Sequence, residues 1–177
     1  MRELLTHRLS IAGIHALCAQ AQACEQTMNL LYTLSLDPDS RVSRQALWAL
    51  CHLDSSCAGW LCTLHDELVE RAMAEHDTTR LRLLLSLLVR QPFSADCLRG
   101  DFIDFCMARI TDCGYPYAIR ALCIRLSYAQ MRHHRPLLRE LLVALDQLGQ
   151  QQLSPGLVSV RRQVMAQIAR TLPRGMM

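Results

Sequence analysis

Cys51, His52, Cys57, Cys62 and His65 crowd five thiol or imidazole groups into one short stretch of the chain. Thiolate and imidazole are zinc ligands, and a thiol beside an imidazole is the pairing of nucleophilic catalysis. The spacing argues against both uses. Only Cys62 and His65 stand at a tight ligand pitch, and no Cys-x-x-Cys occurs. Cys51, Cys57 and Cys62 fit apolar helical faces, where a thiol behaves as a small core residue. With nine cysteines and seven histidines, accidental neighbours are expected. Asp101 and Asp104 lie three apart and could face one side of a helix as an acid/base pair. Two acids at a helix start are also what the backbone dipole favours. The sequence therefore predicts no catalytic residue, no metal site and no cofactor.

The remaining chemistry is arginine chemistry. All nineteen basic residues are arginine, and there is no lysine. Schiff-base formation, a phosphate-loop lysine and a lysine general base are excluded on that count alone. Residues 1–88 hold seven Arg against ten acids, whereas residues 89–177 hold twelve against six. Over 115–177 the balance is nine Arg against two acids, Glu140 and Asp146. Arg125, Arg132, Arg135, Arg139 and Arg161 form the candidate basic patch, with guanidinium forks suited to phosphate or carboxylate.

The elements that must position these groups are helices. Apolar residues make up 51% of 177 and charged residues 20%, a globular balance sufficient for one domain. Period-two alternation is absent, and Leu, Ala, Gln and Arg dominate. Helices are predicted over about 2–19, 23–36, 41–53, 57–75, 78–91, 101–112, 116–130, 135–147 and 154–171, with a short extra turn near Trp60. Asp37-Pro38-Asp39-Ser40 stops one helix and caps the next, Cys113-Gly114-Tyr115-Pro116 does the same, and Ser154-Pro155 opens the last. Residues 78–91 are apolar almost all round, which predicts a buried helix. Residues 1–172 read as one domain and 173–177 as a loose tail.

The helices pair, and the second member of each pair carries Arg44, Arg80, Arg120 or Arg162 at a spacing of about one repeat. Each pair leaves an apolar face that only a neighbouring pair can cover. The predicted fold class is all-α, an α-α superhelix of about four helical hairpins behind an N-terminal capping helix. Arg44, Trp48, Arg80, Arg82, Tyr117, Arg120 and Arg162 are then candidates for a shared face, since arginine and aromatics anchor protein interfaces. The alternative use of such an arginine row is to brace turns by bonding an aspartate or a carbonyl.

Residues 37–48, Asp-Pro-Asp-Ser-Arg-Val-Ser-Arg-Gln-Ala-Leu-Trp, resemble the turn and second-helix opening of a HEAT repeat. The match is good over 28–53 and topological elsewhere. The overall pattern resembles small HEAT-like bacterial proteins, whose Arg-Ala-Ala-Trp-like helix is similar to Arg44–Trp48. The resemblance implies an armadillo-like solenoid whose concave face, made by second helices, serves as a protein-binding scaffold. An adenylosuccinate lyase activity does not follow, because that family's Ser-Ser-x-Met-Pro-x-Lys loop has no counterpart here.

The expected function is a non-enzymatic interaction module that holds a protein partner on its arginine/aromatic face. A homodimer through the last helix (Leu157, Val158, Val164, Met165, Ile168) is a further expectation. The alternative is nucleic-acid binding by the basic C-terminal half, as in HEAT-like alkylpurine DNA glycosylases, which the chain resembles in architecture only. The odd cysteine count, a charged start in place of a leader peptide, and the lack of an apolar run of about 18 residues predict a reduced cytoplasmic protein that does not enter the membrane.

Overall fold

In a computed structural model, the chain is described over residues 1–93 and 98–172. Cys97, one of the nine cysteines, and the tail expected to be loose at 173–177 lie outside the described residues. The described residues hold eleven α-helices and no strand. They cluster into two compact units, Met1–Gln91 and Pro92–Met177, where the sequence predicts a single domain.

The first unit contains α1 (Arg2–Thr6), α2 (Ile11–Gln22), α3 (Glu25–Leu34), α4 (Ser40–Cys51), α5 (Ala58–Thr63), α6 (His65–Ala74) and α7 (Thr78–Val89), with a 3-10 turn at Ser55–Cys57. The expected single helix over 2–19 is two. His7 is extended, and the Ser10 hydroxyl accepts from the Gly13 amide at 3.1 Å, so the chain breaks and restarts with a new N-cap. The expected helix over 57–75 is also divided, at Leu64, in keeping with the extra turn near Trp60.

The Asp37–Ser40 turn caps as its sequence requires. Asp37 Oδ1 accepts from the Asp39 amide at 2.9 Å, and Asp39 Oδ1 accepts from the Arg41 amide at 2.8 Å. Asp77 caps α7 in the same way, accepting from the Arg80 amide at 2.8 Å. Helix α4 buries Val42, Ala46, Leu47, Ala49 and Leu50. It packs on α1, α2, α3 and α7. Helix α7 buries Leu81, Leu83, Leu84, Leu85, Leu87 and Leu88 against α4 and α6, the central position that its near-uniform apolarity predicts.

The second unit contains α8 (Gly100–Thr111), α9 (Tyr117–Met131), α10 (Arg135–Leu148) and α11 (Pro155–Thr171). Helix α9 packs on α8, α10 and α11 and is buried on most sides, including Ser127 and Gln130. The face of α11 expected to be open for a homodimer is closed. Leu157, Val164 and Ile168 are buried within the unit, because α11 turns its apolar stripe onto α9 and α10. Val158 alone of that set is largely exposed, while Met165 lines a small apolar hollow with Leu142 and Leu172.

Candidate functional site

In the first unit, one stripe of α4 and one stripe of α7 open onto an exposed groove of about 550 Å3. From α4 come Arg41, Arg44, Gln45 and Trp48, at the i, i+3, i+4, i+7 spacing that places four side chains on one helical face. From α7 come Thr79, Arg82 and Leu83. The turn between α1 and α2 adds Arg8. The same two helices bury their apolar stripes in the core, so packed apolar side chains back the groove.

Several of the guanidinium groups are fixed in place. Arg44 Nε donates to the Ser40 carbonyl at 2.9 Å and its Nη2 to the Ser40 hydroxyl at 3.1 Å. Arg41 Nη1 donates to the Thr6 carbonyl at 3.2 Å, and the Gln45 amide nitrogen donates to the His7 carbonyl. These two bonds tie the turn carrying Arg8 to α4. Arg8 and Arg82 make no ion pair with any described residue.

Charge is segregated around this groove. Residues 1–91 contain eight Arg and ten Asp or Glu. Four of the eight arginines line the groove and none of the ten acids does. The acids are used elsewhere in the unit. Asp37 pairs with Arg2 at 2.6 Å, Glu75 with Arg80 at 2.9 Å, and Asp39, Asp54 and Asp77 cap helices.

The groove gathers Arg44, Trp48 and Arg82 from the sequence-derived face and leaves the others elsewhere. Arg80 turns to Glu75. Arg120 is a correction: it is 1% exposed and presents nothing to a partner. Its Nε donates to the Ile110 carbonyl at 2.9 Å, its Nη2 to Gln151, and its guanidinium lies 5.9 Å from the exposed Tyr117 ring. Aligned positions in successive hairpins thus have unlike surroundings, since α9 is buried on sides where α4 is open. Arg162 is exposed on α11.

The basic patch divides in the same manner. Arg125, Arg135 and Arg139 are exposed. Arg132 is exposed and also donates to the Phe93 carbonyl at 3.0 Å. Arg161 is half-buried and donates to the Leu145 carbonyl at 2.6 Å.

Bracing turns out to be a common arginine role, carried mostly by residues outside the predicted row. Arg71 reaches the Ser35 carbonyl and hydroxyl at the end of α3, both at 3.0 Å. Arg90 reaches the carbonyls of Leu50, Cys51, Leu53 and Asp54 at the end of α4. Arg120 closes α8 and Arg161 closes α10. A cation there meets both orphan carbonyls and the negative end of the helix dipole. Arg8, Arg41, Gln45, Thr79 and Leu83 are the groove-lining residues that sequence reasoning missed. The Arg41/Arg44/Gln45/Trp48 periodicity was the available signal for two of them.

Of the thiol and imidazole cluster, Cys57 is buried, Cys51, Cys62 and His65 are half-buried and His52 is exposed. Cys51 donates to the Leu83 carbonyl at 3.5 Å, and burial pushes its thiol up to about 12. His65 Nδ1 lies 2.6 Å from Gln91 Oε1. Among the described residues, no three His, Cys, Asp or Glu side chains come together as a group able to hold a metal. Asp101 is occupied by Arg99 and by the Phe102 amide. No described helix is long and apolar enough to cross a membrane.

Capped helical hairpins packed through apolar stripes, without a strand among the described residues, define an all-α fold of the helical-repeat solenoid class. The HEAT repeat domain profile matches residues 1–168, and the chain belongs to the HEAT repeat family. HEAT repeats are typically non-catalytic scaffolds that mediate protein interactions. No curated protein and no solved structure matches the chain.

Proposed function

We propose that this protein is a non-enzymatic interaction module whose α4/α7 groove holds an acidic segment of a protein partner. One observation carries the reading: in a unit with more acids than bases, half of the arginines converge on one groove from which acids are absent. Opposite charges placed at random would be interspersed. Trp48, half-buried at the groove, supplies the apolar surface against which a bound chain packs, and Trp and Arg are the side chains that dominate binding energy at interfaces. Residues 1–172 act as one module on this reading, in keeping with a family match that spans both compact units. The compartment is cytoplasmic, where eight described free thiols persist reduced.

The test is capture of a partner by the 177-residue chain, compared with an R8E/R82E variant. Both residues are exposed and hold up no internal ion pair, so the variant should fold. The expected result is a partner that the wild type retains, the variant does not, and soluble hexaglutamate displaces. Retention that is indifferent to hexaglutamate and to both substitutions removes the proposal.

A second reading assigns the exposed Arg125, Arg132, Arg135 and Arg139 to a nucleic-acid backbone. It predicts duplex binding whose logarithm falls with log salt at a slope of about −0.9 per phosphate neutralised. Absence of binding at low salt eliminates it.

A further inference from the structure

We infer that the segment held in the α4/α7 groove carries a phosphorylated side chain, which the arginines grip as a dianion. The inference rests on the acidic-segment reading and narrows it from carboxylate to phosphate.

The first argument is charge density. Four guanidinium groups surround a groove of about 550 Å3 without a lining acid. A space of that size admits only a few side chains. Each Asp or Glu that enters brings one negative charge, whereas a phosphorylated residue brings about 1.5 to 2. Dianions match the four cations with the fewest groups.

The second argument is the supply of donors. Arg8 and Arg82 keep their whole forks for a ligand. Arg44 has committed Nε and Nη2 to Ser40, which leaves Nη1, and Arg41 has committed Nη1 to Thr6. Arginines lining one groove from three segments offer donors to a tetrahedral group with three acceptor oxygens, and arginine clusters are a recurrent way to recognise phosphorylated segments. A carboxylate has two oxygens in one plane and would leave part of this donor set unmet.

The third argument is preorganisation. Arg44 is pinned to its own helix, and the Arg8 turn is held by Arg41 and Gln45. Part of the entropy cost of assembling a multi-arginine clamp is thus met within the free protein. Trp48 remains as the apolar surface for the residues that flank the phosphoryl group.

The experiment uses the full chain and three fluorescein-labelled nonapeptides of Gly and Ser, with phosphoserine, Glu or Ser at the centre, followed by anisotropy at about 50 mM salt. The phosphoserine peptide should bind about tenfold tighter than the Glu peptide, as expected of charge-assisted forks on a dianion. R8A/R82A should erase that difference while leaving the melting temperature unchanged. Equal binding of the phosphoserine and Glu peptides overturns the phosphate inference and leaves the acidic-segment reading standing. Failure of all three peptides together with hexaglutamate overturns both. A preference that survives R8A/R82A places phosphate recognition elsewhere and overturns the inference. So does binding of ADP or inorganic phosphate as tight as that of the phosphopeptide, which would make the occupant a free small anion.

Discussion

Arg120 and Gln151 are joined side chain to side chain, with Arg120 Nη2 donating to Gln151 Oε1. The Gln151 amide nitrogen donates onward to the Thr111 carbonyl at 2.8 Å, while Arg120 Nε donates to the Ile110 carbonyl at 2.9 Å. Two side chains from separate segments therefore close the carbonyl end of α8. The Arg120 cation is buried and meets a carbonyl, an amide oxygen and an aromatic ring. The negative end of α8 is what offsets its charge.

This closure should be felt in stability. R120A removes the donor to the Ile110 carbonyl and one donor to Gln151, and empties a buried site, and should cost about 2–4 kcal/mol in urea unfolding. Q151A should cost less, about 1–2 kcal/mol, because the arginine keeps its bond to Ile110. R162A, on an exposed face, should fall within about 0.5 kcal/mol of wild type. An R120A loss no larger than that of R162A would show that the brace contributes nothing.

The aspartate caps give a second expectation. D39A and D77A should each destabilise by about 1 kcal/mol, since each orphans an amide in the first turn of α4 or α7. Asn at either position should recover most of the loss. The comparison is read from the urea midpoints of the four variants.

Asp37 gives a pH dependence. The hydrogen bond from Arg2, then that from the Asp39 amide, hold its carboxyl below the ordinary value of 3.8. A depressed folded-state pKa means that ionised Asp37 stabilises the fold above its unfolded-state pKa. That contribution is lost as pH falls through the folded value. Melting of wild type and R2A from pH 7 down to about pH 2 should show a small gap that is full at neutral pH and closes in acid. A gap that stays constant to the lowest pH would contradict the assignment.

Thiol reactivity should follow position. Cys24 is exposed at the N-cap of α3, and the Thr27 amide holds its thiol below the usual range. Burial pushes Cys18, Cys51 and Cys106 up. Limiting iodoacetamide at neutral pH should therefore label Cys24 well before those three, as read by peptide mass spectrometry. Early labelling of Cys51 would mean that the α4/α7 contact opens readily.

The helices were legible in the sequence because their signals are local. Asp39, Asp77, Ser154 and the turn at Gly114-Tyr115-Pro116 act within one helical turn, so their positions could be read without knowing what packs where. The break at His7–Ser10 was missed because the apolar periodicity runs through it and Ser10 is an unobtrusive cap. The homodimer face on α11 was misjudged for a related reason. An apolar stripe announces that something covers it, and α9 and α10 of the same unit do.

The arginines mark the boundary between the two kinds of information. Their number, the absence of lysine and the spacing of Arg41, Arg44, Gln45 and Trp48 along α4 belong to the sequence alone. Where an arginine settles is often decided by residues far along the chain, as with Arg71 on Ser35 and Arg2 on Asp37. A guanidinium on a long, flexible stem settles on whichever partner the packing of other helices brings within reach. Tertiary structure alone therefore divided one row of like residues into a brace at Arg120, an ion pair at Arg80 and a groove residue at Arg44.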